Sequence, residues 1–190
     1  ELDANGGFPD VSSAEEILLT LRERRPRAFD AISYLEQPLA QDTLHEPVDV
    51  SRLSDLVPVI LDDGAHSIGH LRAARGLGYS GVGLKTCKGH ARCLLFAAWA
   101  QRNNMLLSLQ DLTNPSIGAV QSAGLARRLD TINGVELNSY QFTPQANRDI
   151  APHHPGLLPP EEGFHHLDTI QGPGLGYSYY EVSEQEWEKR

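Results

Sequence analysis

Short, continuous apolar runs alternate with stretches of helical periodicity along most of the chain. "AISYLEQP" (31–38), "VPVILDDG" (57–64), "SGVGLKT" (80–86), "MLLSLQD" (105–111) and "INGVELNS" (132–139) are each rich in β-formers and each carry a polar residue near the end. Continuous rather than alternating apolar runs suit strands covered on both faces.

Helical patterns lie between the runs. Ser12 or Ser13 with Glu15 or Glu16 reads as a capping box, leading into Ile17, Leu18 and Leu21 on one face. Residues 67–75 and 90–102 read as helices, the second apolar almost all round and therefore expected to be well buried. Asn114 before Pro115 reads as an N-cap with proline at the first helical position. A weaker pattern around Val50–Leu56 predicts one short helix.

Alternating strands and helices imply parallel pairing through right-handed crossovers. The polar strand ends fall at 3, 36, 62, 85, 110–111 and 136. A charged or polar residue ending nearly every strand is the pattern of the catalytic face of a (β/α) barrel. An open doubly wound sheet would concentrate such residues at one switch point, usually beside a glycine-rich phosphate loop, and "NGGF" lacks that spacing. The fold class read here is α/β, a (β/α)8-type (TIM) barrel. Only six strands are countable, the first a stump ending at Asp3, where a closed barrel has eight. The expectation is a partial barrel over residues 1–138, strands 3 to 8, followed by a turn-rich tail over 139–190.

Composition narrows the function. A formal charge of −9 argues against nucleic-acid binding, which needs a basic face. No apolar stretch is long enough for a membrane span. Two cysteines are too few for a disulfide scaffold and fit a reducing compartment, so the cytoplasm is expected.

Asp3, Glu36 and Asp62 would end three consecutive strands and point into one pocket. Converging carboxylates repel unless a cation neutralises them, and an all-oxygen set suits the hard ion Mg²⁺. Taken singly, each acid is as well explained by helix capping or a surface ion pair. Lys85 ends the next strand, where a lysine can act as a proton-transfer base or simply pair with an acid.

"DANGG", "YLEQPLA", "VILDDG" and "GVGLKTCKG", in this order and at these separations, resemble the enolase superfamily, and within it the mandelate racemase/muconate lactonising branch. "GPGLGYSYYEV" resembles a tail segment of the same branch. The resemblance implies that Asp3, Glu36 and Asp62 are magnesium ligands and that Lys85 is the sixth-strand acid/base. It further implies that Asn5 lies beside the metal and touches substrate, and that Glu136 sits where an eighth-strand acid meets the substrate carboxylate. There are departures. Asp63 stands where the family usually has glutamate, and His90 where it has a second glycine. The seventh-strand histidine of the racemase subgroup is not apparent, and Asp111 in "LQDLTNP" is the pocket candidate there.

The implied chemistry is removal of a proton next to a carboxylate with stabilisation of an enediolate. The outcome is racemisation or epimerisation, or dehydration, of an acid such as an acid sugar. The resemblance places a partner base and a substrate-selecting cap domain before residue 1. The expected partners are therefore a small carboxylate substrate and either further copies of the chain or the missing N-terminal portion. The alternatives are a non-catalytic remnant of such an enzyme and a Schiff-base aldolase using Lys85. "CKGHARC" has cysteines and a histidine at close spacing, but a structural zinc site needs a fourth ligand, so a core cysteine and a capping histidine are expected.

Overall fold

The computed structural model describes residues 1–40, 42–171 and 174. The "GPGLGYSYYEV" tail segment lies outside them, apart from Gly174. Five strands form one sheet in chain order: β1 (Leu2–Asp3), β2 (Leu35–Glu36), β3 (Val59–Leu61), β4 (Gly81–Lys85) and β5 (Leu106–Gln110). The pairs β1–β2, β2–β3 and β3–β4 are parallel, and the Leu106 amide donates to the Ser80 carbonyl where β5 joins. Sequential parallel strands with helical connections are a partial (β/α) barrel. All of β3 and β4 is buried, as continuous apolar strands require. At Gly81 a Cβ would stand 2.5 Å from the Leu106 carbonyl oxygen, so only glycine lets β4 and β5 approach there.

The chain divides into two compact units. The first comprises residues 1–84, 94–108 and 131–133. It holds α1 (Val11–Arg24), α2 (Pro26–Asp30), α3 (Ser51–Ser54) and α4 (Ile68–Gly76). Helix α1 starts two or three residues earlier than the capping-box reading places it. Asp10 is the N-cap and its carboxylate accepts the Ser13 amide, because aspartate caps as well as serine and here precedes both serines. Ala14 and Leu18 form its buried face, while Ile17 is half exposed. Helix α4 is capped by Ser67, whose hydroxyl accepts the His70 amide.

The second unit comprises residues 85–93, 109–130 and 134–190. Its helices are α6 (Ile117–Ala126) and α7 (Ser139–Phe142). Between α4 and α6 in the chain, α5 (His90–Arg102) runs from this unit into the first. It is not apolar-buried all round: Cys93, Phe96, Ala97 and Ala100 are buried, whereas Leu94 and Leu95 are about half exposed. Nor is Asn114 a cap, since α6 begins after Ser116, in a left-handed conformation and without a side-chain cap.

The sixth predicted strand is reduced to a single parallel bridge, Leu109 to Val135. Gly134 takes a left-handed φ of 73° just before it and ends any longer ladder. The second unit's core joins Ala119, Val120 and Ala123 of α6 to Leu137, Ile150, Leu157, Leu158 and Ile170. Ile150, Leu157, Leu158 and Ile170 of the described tail are therefore core-forming, whereas Phe142 and Phe164 are exposed.

Among the described residues no helix is long and apolar enough to cross a membrane.

Candidate functional site

In the first unit the strand ends carry the acids. Register places Asp3 opposite Glu36 and Glu36 opposite Ile60, with Asp62 two residues further along the chain. Glu36 and Asp62 are buried and Asp3 is exposed. Asn5 sits in a left-handed turn at φ 48° and holds Asp3. Its backbone amide donates to Oδ1 at 2.8 Å and its side-chain amide to Oδ2 at 2.7 Å.

The donor set suits a hard divalent cation by chemistry, being carboxylate oxygens at the ends of three neighbouring strands. Among the described residues, however, no three His, Cys, Asp or Glu groups are gathered closely enough to hold an ion. The three acids share a sheet edge without forming a closed cage.

The loops after β1, β2 and β3 surround a cavity of about 420 Å³, lined in part by Asn5, Gln37, Asp42, Asp63 and His66. Two of these lining residues shape the loops and were not singled out from the sequence. Gln37, buried and at φ 35°, bonds to each loop. Asp42 closes an Asx turn, accepting the amides of Leu44 at 2.7 Å and His45 at 3.0 Å, while its Oδ2 lies 3.4 Å from Nε2 of His70. Those amides, Leu44 first, hold the Asp42 carboxyl well below the usual range. An aspartate opening the turn-forming stretch "DTLHEP" was the readable signal for Asp42. Gln37 had none, because a residue preceding proline is expected to be extended.

The second unit holds the other candidates. Lys85 ends β4 and is buried. Asp111, also buried, follows β5. Its Oδ1 accepts the Asn114 amide at 2.7 Å and its Oδ2 the Asn138 amide at 2.9 Å. Glu136 Oε2 accepts the Asp111 amide at 3.4 Å, and its Oε1 accepts the Asn138 side-chain amide at 3.2 Å. Asp111, Glu136 and Asn138 thus form one hydrogen-bonded group in which Asp111 anchors two loops. Half-buried His90 begins α5, and burial holds its imidazole below the ordinary range. Cys87 is exposed, while Cys93 is buried and its thiol is pushed up to about 11 by that burial. These cysteines and His90 form no metal-binding group.

No protein-family model and no curated protein sequence matches the chain. Solved structures do. A mandelate racemase/muconate lactonizing protein from Herpetosiphon aurantiacus is 27% identical with a TM-score of 0.60, over 74% of this chain and 39% of that one. A protein from Sorangium cellulosum assigned to the mandelate racemase/muconate lactonizing enzymes is 27% identical with a TM-score of 0.59, over 73% of this chain and 37% of its own. A dipeptide epimerase from Enterococcus faecalis, complexed with Mg and the dipeptide L-Leu-L-Tyr, is 16% identical and shares the fold at a TM-score of 0.59, over 73% and 38%. The chain therefore spans about two fifths of the length of the structures it matches. In strand-end motifs and in fold, it resembles part of the barrel of the mandelate racemase/muconate lactonising enzymes of the enolase superfamily.

Proposed function

We propose that the chain belongs to an enzyme that removes the proton next to a carboxylate and returns it, racemising or epimerising the α-carbon. The observation that carries this reading is the succession Asp3, Glu36, Asp62 and Lys85 at the carboxyl ends of four consecutive strands. The racemases and epimerases among the similar structures favour isomerisation over the dehydration also admitted by the motifs.

Asp3, Glu36 and Asp62 are the residues that would hold Mg²⁺. When bound, the ion supplies positive charge against the negative charge that develops on the substrate carboxylate. Asn5 restrains the Asp3 carboxylate through both oxygens. Lys85 is a buried amine at a strand end and moves the proton on one face of the substrate. Glu136, held by the Asp111 and Asn138 amides, contacts the substrate.

The test is exchange of the α-proton with solvent deuterium, followed by NMR, in the presence of Mg²⁺ and a panel of dipeptides, N-acyl amino acids and acid sugars. Exchange should occur with one class and fall by about 10²–10⁴-fold in Lys85→Ala. Exchange unchanged by that substitution removes Lys85 from the chemistry. No exchange with any class leaves the non-catalytic reading.

A further inference from the structure

The stretch "DDGAHSIGH" (62–70) brings chemistry to the start of α4 that the proposed function does not use. Ser67 and His70 stand three residues apart, the spacing that brings side chains together on one face of a helix. Ser67 is exposed, and its hydroxyl lies 2.8 Å from Nδ1 of His70. Across that ring, Nε2 lies 3.4 Å from Oδ2 of Asp42. A hydroxyl, an imidazole and a carboxylate are thus connected in series. That is the order of a serine nucleophile, its base and the group that orients the base.

The ring is fixed from several directions. His70 is buried, and His66 packs edge-on against it with ring centroids 5.2 Å apart. The Thr43 hydroxyl donates to the His70 carbonyl at 3.4 Å. Asp42 is fixed in turn, because its Oδ1 takes the Leu44 and His45 amides, which hold the carboxyl well below the usual range. An ionised Asp42 favours the tautomer with hydrogen on Nε2, which leaves Nδ1 free to accept the serine proton.

Capping alone does not account for this arrangement. Ser67 is the N-cap of α4, but its bond to the His70 amide is long at 3.4 Å, against 2.8 Å to the ring. The Ile68 and Gly69 amides open the helix beside the hydroxyl, and among the described residues neither has an acceptor. Amides in such a place can take the negative oxygen of a tetrahedral intermediate. Glycine at 69 keeps the hydroxyl open, since a Cβ there would crowd Ser67 Oγ at 3.2 Å. Asp42 and His66, the residue before Ser67, both line the cavity of about 420 Å³, a volume suited to a small substrate. Asp63 lines it too, so two carboxylates disfavour an anionic acyl group.

We infer that Ser67, His70 and Asp42 form an acyl-transfer site that hydrolyses neutral esters of small carboxylic acids. Ser67 Oγ attacks the ester carbonyl carbon, and its proton passes to Nδ1 of His70. As the oxyanion collapses, the bond to the alkoxy group breaks and that proton leaves with the alcohol. Water then attacks the acyl-serine and gives a proton to His70. The carboxylic acid departs as Ser67 Oγ takes that proton back. Water is the one co-reactant, and neither a metal nor Lys85 takes part.

The test treats the full chain with a fluorophosphonate probe and assays it with p-nitrophenyl acetate. Wild type should gain the mass of one probe, mapped to Ser67, and should release p-nitrophenol. Ser67→Asn keeps an N-cap and should stay folded, yet lose both the label and the hydrolysis. His70→Gln should lower the hydrolysis by about 10²–10⁴-fold. Asp42 is a positioning residue, so its readout is the ring itself. Nitrogen-15 NMR should show the Nε2–H tautomer of His70 in wild type and a shifted tautomer population in Asp42→Asn. No adduct in wild type, an adduct elsewhere, or hydrolysis unchanged in Ser67→Asn would overturn the inference. So would an Nδ1–H ring in wild type, or a tautomer that Asp42→Asn leaves unmoved.

Discussion

The two units solve one problem in different ways. Each must anchor a loop that follows a strand and bears a candidate functional side chain. In the first unit a neutral amide, Gln37, does it. Its oxygen takes two backbone amides and its nitrogen one carbonyl. In the second unit a carboxylate, Asp111, does it, with each oxygen taking one backbone amide. The amide can both donate and accept, so it links three loop positions. The carboxylate only accepts, but accepts more strongly. A barrel mouth can therefore spend an acid on scaffolding where Glu136 alone is to be placed, and an amide where three acids already lie close in sequence position to the strand ends.

This contrast can be broken most sharply at Asp111. Asp111→Ala leaves the Asn114 and Asn138 amides without their acceptor and should cost about 2–4 kcal/mol in denaturant unfolding. A loss under about 1 kcal/mol would mean that the carboxylate is not the anchor. Asp10→Ala offers a smaller yardstick, because there an exposed carboxylate accepts the Ser13 amide at the start of α1. Its expected cost is smaller than that of Asp111→Ala, read as a smaller shift of the unfolding midpoint.

The least effect, and the finest distinction, lies in pH. His90 in the second unit has a folded pKa below its ordinary 6.5, so its neutral form favours the folded state. The stability it contributes is whole above about 6.5 and is lost as pH falls through that value. Asp42 in the first unit is a carboxyl held low by the Leu44 and His45 amides. Its contribution is whole above about 4 and is lost only at lower pH. Following unfolding against pH, His90→Gln should remove part of the loss near pH 6, and Asp42→Asn part of the loss below pH 4. Interchanged windows would refute both assignments.

The ends of β2 to β5 were legible in the sequence because a short apolar run such as "VPVIL", closed by a turn, suits a strand covered on both faces, and the polar residue that follows marks its end. Helices α4 and α5 were legible from their periodicity and polar ends. The cap of α1 was misplaced because aspartate and serine compete for the same role within three residues. The exposure of Leu94 and Leu95 was missed since composition cannot tell which side of an apolar helix lacks a neighbour. The last strand was overread because Gly134 breaks it by conformation, not by polarity.

Among the candidate site residues, Glu36, Asp62 and Lys85 were visible as polar ends of apolar runs, and Asp3 as the end of a strand stump before a turn. Gln37 was not, because its importance comes from bonds to Gly6, Leu39, Ile60, Asp62 and Gly64 and from a backbone angle that its neighbour Pro38 argues against. Asp111 was visible as an acid, but its use as an anchor depends on where Asn114 and Asn138 come to lie.

The contrast between the two cysteines makes the unsubstituted protein a ready spectroscopic specimen. A thiol pushed up to about 11 and shielded by burial is almost entirely unreactive near neutral pH, while Cys87 stands exposed. A maleimide dye or nitroxide should therefore attach at one place, two residues after Lys85. Changes in the loop following β4 on addition of metal or acid can then be watched as a single signal, in a chain whose sequence has not been altered.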